Sequence, residues 1–143
     1  MAEYIENAVQ TVEAGQNILL ETAIGCNRGY VYHRNQSGIV ILRGIVNNPT
    51  ACFTRYQVTF NGNIAVPEDG TVGAISIALT IDGEPIQTSK AIVTPAAVDE
   101  DFNVTSTAII TVPKGCCFSV AVENTSAVAI NVQNANLTVA RIA

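Results

Sequence analysis

Tryptophan is absent from this 143-residue chain, histidine and methionine occur once each, and only 13% of residues are charged. Each shortage removes a class of function. A serine or cysteine nucleophile ordinarily needs a base, and His33 stands alone between Tyr32 and Arg34 with no GxSxG elbow in the chain. His33 is therefore expected to be structural, and the chain is expected not to be an enzyme. No GxxxxGK(S/T) or GxGxxG run offers backbone amides to a phosphate. The four cysteines, Cys26, Cys52, Cys116 and Cys117, lack CxxC spacing, and one histidine cannot complete a Cys/His zinc set. Reduced, partly buried thiols are expected, with no metal and no cofactor. Neighbours in a strand point to opposite faces, so Cys116 and Cys117 cannot bridge each other without strain.

Positive charge is scarce as well. The basic residues Arg28, Arg34, Arg43, Arg55, Lys90, Lys114 and Arg141 are scattered through a chain of net charge −5, which excludes the basic stripe that nucleic acid requires. No run approaches the roughly 18 to 20 apolar residues of a membrane-spanning helix. Residues Met1 to Gly15 carry Glu3, Glu6 and Glu13 without Lys or Arg, so no secretory signal is expected and synthesis is placed in the bacterial cytoplasm.

Against these absences stand a hydrophobic content of 48% and a mean hydropathy of +0.31. One domain of this length can be stable without staples, and a surplus of apolar surface beyond its core points to contacts between subunits. Period-2 alternation dominates from about residue 16. Tyr56, Val58, Phe60, Ile64 and Val66 share one parity and Gln57, Thr59, Asn61 and Asn63 the other, with Gly62 expected at a bend or bulge. Pro67-Glu68-Asp69-Gly70 reads as a turn. Ile75, Ile77, Leu79 and Ile81 then alternate with Ala74, Ser76, Ala78 and Thr80 up to the hairpin signal Asp82-Gly83. Ala108 to Val112, Phe118 to Val122, Val128 to Val132 and Leu137 with Val139 continue the pattern, and Ile18 to Glu21, Tyr30 to His33 and Ile39 to Leu42 precede it. Turns are expected at Gly25 to Gly29, Asn35 to Gly38 and Asn47 to Thr50, and a loop at Thr94 to Asp101. The expected fold is all-β: an antiparallel jelly-roll sandwich of about eight to ten strands over residues 16–143. Tyr4, Ile5, Ala8, Val9 and Val12 recur at helical spacing, so residues 1–15 are left as a short helix, an amino-terminal arm or a first edge element.

The uncharged second parity, Ala74, Ser76 and Ala78, is expected to pack on a neighbouring subunit, together with the aromatics Tyr30, Tyr32, Phe53 and Tyr56. The acid clusters Glu68-Asp69 and Asp99-Glu100-Asp101 sit in turn-like sequence; solvated loops are expected there, or loops contacting a ligand or a capsid. They lack the spacing of a calcium loop. The sequons at Asn35, Asn103, Asn124 and Asn136 reflect Asn/Thr-rich turns and strands.

The pattern around Phe53 to Val66, the Asp82-Gly83 hairpin and the ending Asn136 to Ala140 resemble trimeric jelly rolls of the tumour-necrosis-factor and complement-globular-head type, and the head of Bacillus exosporium collagen-like glycoproteins. YHRNQSGIVILRG, NIAVPEDGTVGAISIALTIDGEPI, VPKGCC and VQNANLTVARIA are similar to small proteins encoded by gut Firmicutes and their phages. The resemblance implies a compact three-fold trimer. No collagen-like Gly-X-Y stalk accompanies it, so the expected role is structural: a trimeric capsid-decoration or cement protein on the virion surface, partnered by capsid or another virion protein. The alternative is a receptor- or glycan-binding head of a surface fibre.

Overall fold

The computed structural model describes residues 2–24, 30–34 and 37–143. The expected turn at Gly25 to Gly29, with Cys26 and Arg28, and the sequon residue Asn35 lie outside the described residues.

Most of the alternating segments become strands. The strands are β1 (Ala2–Glu6), β2 (Gln10–Val12), β3 (Thr22–Ile24), β4 (Val31–His33), β5 (Val40–Arg43), β6 (Phe53–Ala65), β7 (Ile75–Ile81), β8 (Glu84–Pro85), β9 (Ala91–Val93), β10 (Phe102–Pro113), β11 (Cys117–Asn124) and β12 (Ile130–Arg141). A 3-10 turn, Gln87–Ser89, lies between β8 and β9. Sheet A has the order β10-β6-β12-β1-β3, with β2 extending the line of β1 along β12; sheet B runs β4-β5-β11-β7, and β7 pairs with both β8 and β9. All pairings are antiparallel. The inward parities of the two sheets meet in one core, where Tyr56, Val58, Phe60 and Ile64 of β6 face a cluster that includes Leu42, Leu79 and Val122 of sheet B.

Four expectations change. The helical spacing near the amino terminus is overruled by pairing: β1 is an interior strand between β12 and β3, with Tyr4 buried, whereas β2 pairs with β12 alone and stands as an edge element. The bulge falls on β12 instead of β6. Its register shifts between Gln133 and Asn136 opposite Gly62, where a Cβ would come within 2.8 Å of the Phe60 ring and 3.5 Å of Ala135 Cα. Ile18 and Leu20 are buried, but residues 18–21 form no strand, because the Gln10 side-chain amide takes the place of a partner: its Oε1 accepts from Leu19 N–H and its Nε2 donates to Leu19 O. The strand over 108–112 starts earlier, at Phe102, and pairs with β6 along its whole length.

Candidate functional site

Because β6, β10 and β12 are each twelve or thirteen residues long and lie side by side, their outward parities build one flat face. Across the sheet the rows read Ile109-Gln57-Ala140, then Thr107-Thr59-Thr138-Glu3-Ile24, then Thr105-Asn61-Asn136-Ile5-Thr22, then Asn103-Asn63-Gln133. Glu3 is the single ionisable side chain in these four rows, and the next row brings Arg55, opposite Thr111, onto the same face at its Phe53 end. Side chains bond to one another along the face: Asn103 Nδ2 donates to Asn61 Oδ1 at 2.9 Å, Asn63 Nδ2 to Asn134 Oδ1 at 3.3 Å, and the Thr59 and Thr107 hydroxyls are 3.2 Å apart. At about 3.3 Å per residue and about 4.8 Å between strands, these four rows span roughly 23 Å along the strands and about 19 Å across the two five-strand rows, on the order of 400 Å². Apolar groups stand at its two margins: Ile109 on β10, and Ile24 with Ile5 on β3 and β1.

The small parity of β7 behaves differently. Ser76 and Ala78 are buried within the chain itself, as is Thr80, because β7 is flanked by β11 on one side and by β8 and β9 on the other. The Ser76 and Thr125 hydroxyls are 2.7 Å apart, and Thr80 Oγ1 donates to Ala121 O. Ser76 and Ala78 are therefore corrected from interface to protomer interior, and Ala74 lies in the exposed loop before the strand.

The four aromatics singled out from the sequence converge at one end of the sandwich in two different roles. Tyr56 is fully buried, a correction to its expected place at a surface, and its hydroxyl donates to Arg43 O at 2.5 Å and lies 3.3 Å from Tyr30 O. Burial pushes its phenol above the ordinary tyrosine range, against a lowering pull from Arg141. Tyr30, Tyr32 and Phe53 are 44%, 41% and 39% exposed. Each carries an arginine over its ring: Arg141 on Tyr30 at 4.4 Å, Arg55 on Phe53 at 4.7 Å and Arg43 on Tyr32 at 5.8 Å. These arginines were not singled out from the sequence; Arg43, Arg55 and Arg141 each lie near a strand end, and only the strand pairing brings them together. Arg43, Gly44, Ile45, Val46, Asn47 and Asn48 line a depression of about 600 Å³ with Tyr30 and Arg141.

Glu68, Asp69 and Asp99 lie at the opposite end of β6, bordering a second depression of about 670 Å³ with Thr11, Pro67 and Asn131, while Glu100 and Asp101 are exposed in the same loop. No group of three metal-capable side chains forms among the described residues. His33 is buried, stacks on Tyr4 at 4.8 Å and has its Nε2 2.8 Å from Ser37 O, a packing role. Cys52, Cys116 and Cys117 are free and exposed, which corrects their expected partial burial: Cys52 lies in the loop before β6, Cys116 closes a turn with Pro113, and Cys117 opens β11 opposite Arg43 on the outward side.

No family model matches the chain, and no curated protein does. Solved structures do. Eiger TNF from S. frugiperda superposes over 100% of this chain and 92% of that one, with a TM-score of 0.71 at 12% identity. The globular domain of zebrafish complement 1qA covers 96% of this chain and 94% of its own, with a TM-score of 0.57 at 11% identity. PRD1 vertex protein P5 aligns over 99% and 96% of the two chains, at a TM-score of 0.49 and 12% identity. The first two likenesses establish the fold: an all-β jelly roll of the tumour-necrosis-factor kind.

Proposed function

We propose that the protein is a non-catalytic assembly module whose copies join through the outward face of sheet A into a closed ring, and that the ring decorates a phage capsid. The observation that carries the reading is the uncharged face itself. Copies of net charge −5 repel one another, and this face is where they meet with almost no ionised group to desolvate. Its extent, on the order of 400 Å², supplies about half of the roughly 800 Å² per partner of a standard interface. Ile109 and Ile24 occupy opposite margins, so the apolar edge of one copy meets a different edge of the next, a heterologous contact that makes a ring where the rotation between copies closes. The sequence resemblance supports three copies per ring. Repeated weak contacts from a ring then sum to firm attachment on a shell.

Light scattering at micromolar concentration tests the ring: three chains per particle is the expected mass, and a monomer overturns it. Mass spectrometry of purified phage particles tests the location, with absence from them overturning the capsid role.

A further inference from the structure

The arginine-capped end holds a feature that assembly through sheet A does not use. Its depression of about 600 Å³ falls within the range of small-ligand sites. The floor is rigid. Gly44 N–H donates to Cys116 O, Ile45 N–H to Thr54 Oγ1 and Gly115 N–H to Ile45 O, while the Tyr56 hydroxyl ties down Arg43 O. A Cβ on Gly44 would sit 2.2 Å from Pro113 O, so the backbone there approaches its neighbour as only glycine allows. With the amides of Arg43, Gly44 and Ile45 and the carbonyls of Arg43 and Ile45 engaged inside the fold, the side chains around them carry the recognition. Arg141 lies with its guanidinium over the Tyr30 ring and spends Nε on Ala143 O, which leaves the terminal nitrogens to meet a ligand in the guanidinium plane. That edge matches a carboxylate. Asn48 commits Oδ1 to the 48–51 turn, which fixes the side chain and keeps its amide donor for a hydroxyl. Val46, 68% exposed, adds an apolar wall.

We infer that this depression binds a carboxylate-bearing sugar, with Arg141 holding the acid group, Asn47 and Asn48 the hydroxyls, and Tyr30 and Val46 the apolar flank. A sugar is favoured over an acidic peptide because the depression sets one guanidinium beside the fixed Asn48 amide donor, which suits an acid group with neighbouring hydroxyls better than a run of carboxylates.

The test uses the whole protein labelled with nitrogen-15 and four probes: digalacturonate, sialyllactose, the dimethyl ester of digalacturonate, and a hexaglutamate peptide. At least one acidic sugar is expected to shift the amides of residues 43–48 and 141, with the ester at least tenfold weaker. Arg141→Gln is expected to weaken binding at least tenfold. Val46→Glu alters an exposed loop residue, keeps the unfolding midpoint, and is expected to abolish binding by placing a competing carboxylate in the hollow. Silence from both acidic sugars, equal binding of the ester, indifference to both variants, or shifts with hexaglutamate alone would each overturn the inference.

Discussion

On the outward side of sheet A, Thr59, Thr107 and Thr138 stand on an open face; on that of sheet B, Ala78, Thr80 and Ala121 are buried within their own chain. Read as letters the two sets look alike, small and uncharged. The difference teaches that a shortage of charge has two causes. A strand flanked on both sides and covered within the protomer cannot carry a charge because no water reaches it, as in β7. A strand that is open in the protomer and still lacks charge has water available, and its composition points to something outside the chain. Burial within one copy separates the two cases, and periodicity cannot.

Substitutions can break or sharpen this contrast. Ala78→Arg should have the largest effect, because Ala78 is fully buried and a side chain of that size cannot enter without displacing its neighbours, even with Glu123 opposite; the unfolding midpoint in denaturant is expected to collapse or the chain to misfold. If Ala78→Arg folds as the parent does, β7 is open on that side and the contrast fails. Thr59→Arg combined with Thr138→Arg places like charges on the open face. The monomer's unfolding is expected to move by no more than about 0.5 kcal/mol per site, while the ring dissociates on light scattering. A stable ring in that variant removes sheet A from the interface.

Smaller effects sharpen the picture at the arginine end. Tyr56→Phe deletes a hydroxyl that donates to Arg43 O, and a loss of about 1 to 2 kcal/mol is expected from denaturant titration. Alkaline pH should act in the same direction. Tyr4 and Tyr56 both have phenols raised by burial, so the folded state favours their neutral forms. Their contribution is complete below the unfolded tyrosine value and is lost as pH rises through the raised one. Stability is therefore expected to fall above about pH 10, less steeply in Tyr56→Phe. The smallest expected change is from Cys52→Ser, Cys116→Ser or Cys117→Ser: each thiol reacts with a soluble disulfide reagent in the native state, and each serine shifts stability by no more than about 0.5 kcal/mol.

Much of the fold was legible because burial writes itself into parity. Tyr56, Val58, Phe60 and Ile64 announced one inward face, and Asp82-Gly83 marked the β7–β8 hairpin, with both residues at positive φ. What parity cannot carry is pairing partner. Tyr4, Ile5, Ala8 and Val9 match a helical stripe as well as a strand, and only the β12 residues Leu137 and Val139 on one side and Ala23 on the other decide between them. The open face was half visible: Gln57, Thr59, Asn61 and Asn63 stood out as the polar parity of one strand. Their alignment with Thr105, Thr107, Asn136 and Thr138 needed the sheet order. The arginine end was least visible, since Arg43, Arg55 and Arg141 are far apart in the chain and meet through three separate strand ends.

The extra residue in β12 opposite Gly62 has a consequence for folding fidelity. Thr and Asn recur every second position along β6, β10 and β12, so sliding one strand by two residues would set threonine and asparagine against much the same neighbours as before. Such a ladder holds little positional information. Gly62 is the one inward position of β6 without a side chain, and the bulge at Asn134 and Ala135 fits only there, against the Phe60 ring. The irregularity thus works as a phase mark that tells a repetitive strand where along its partner to stop.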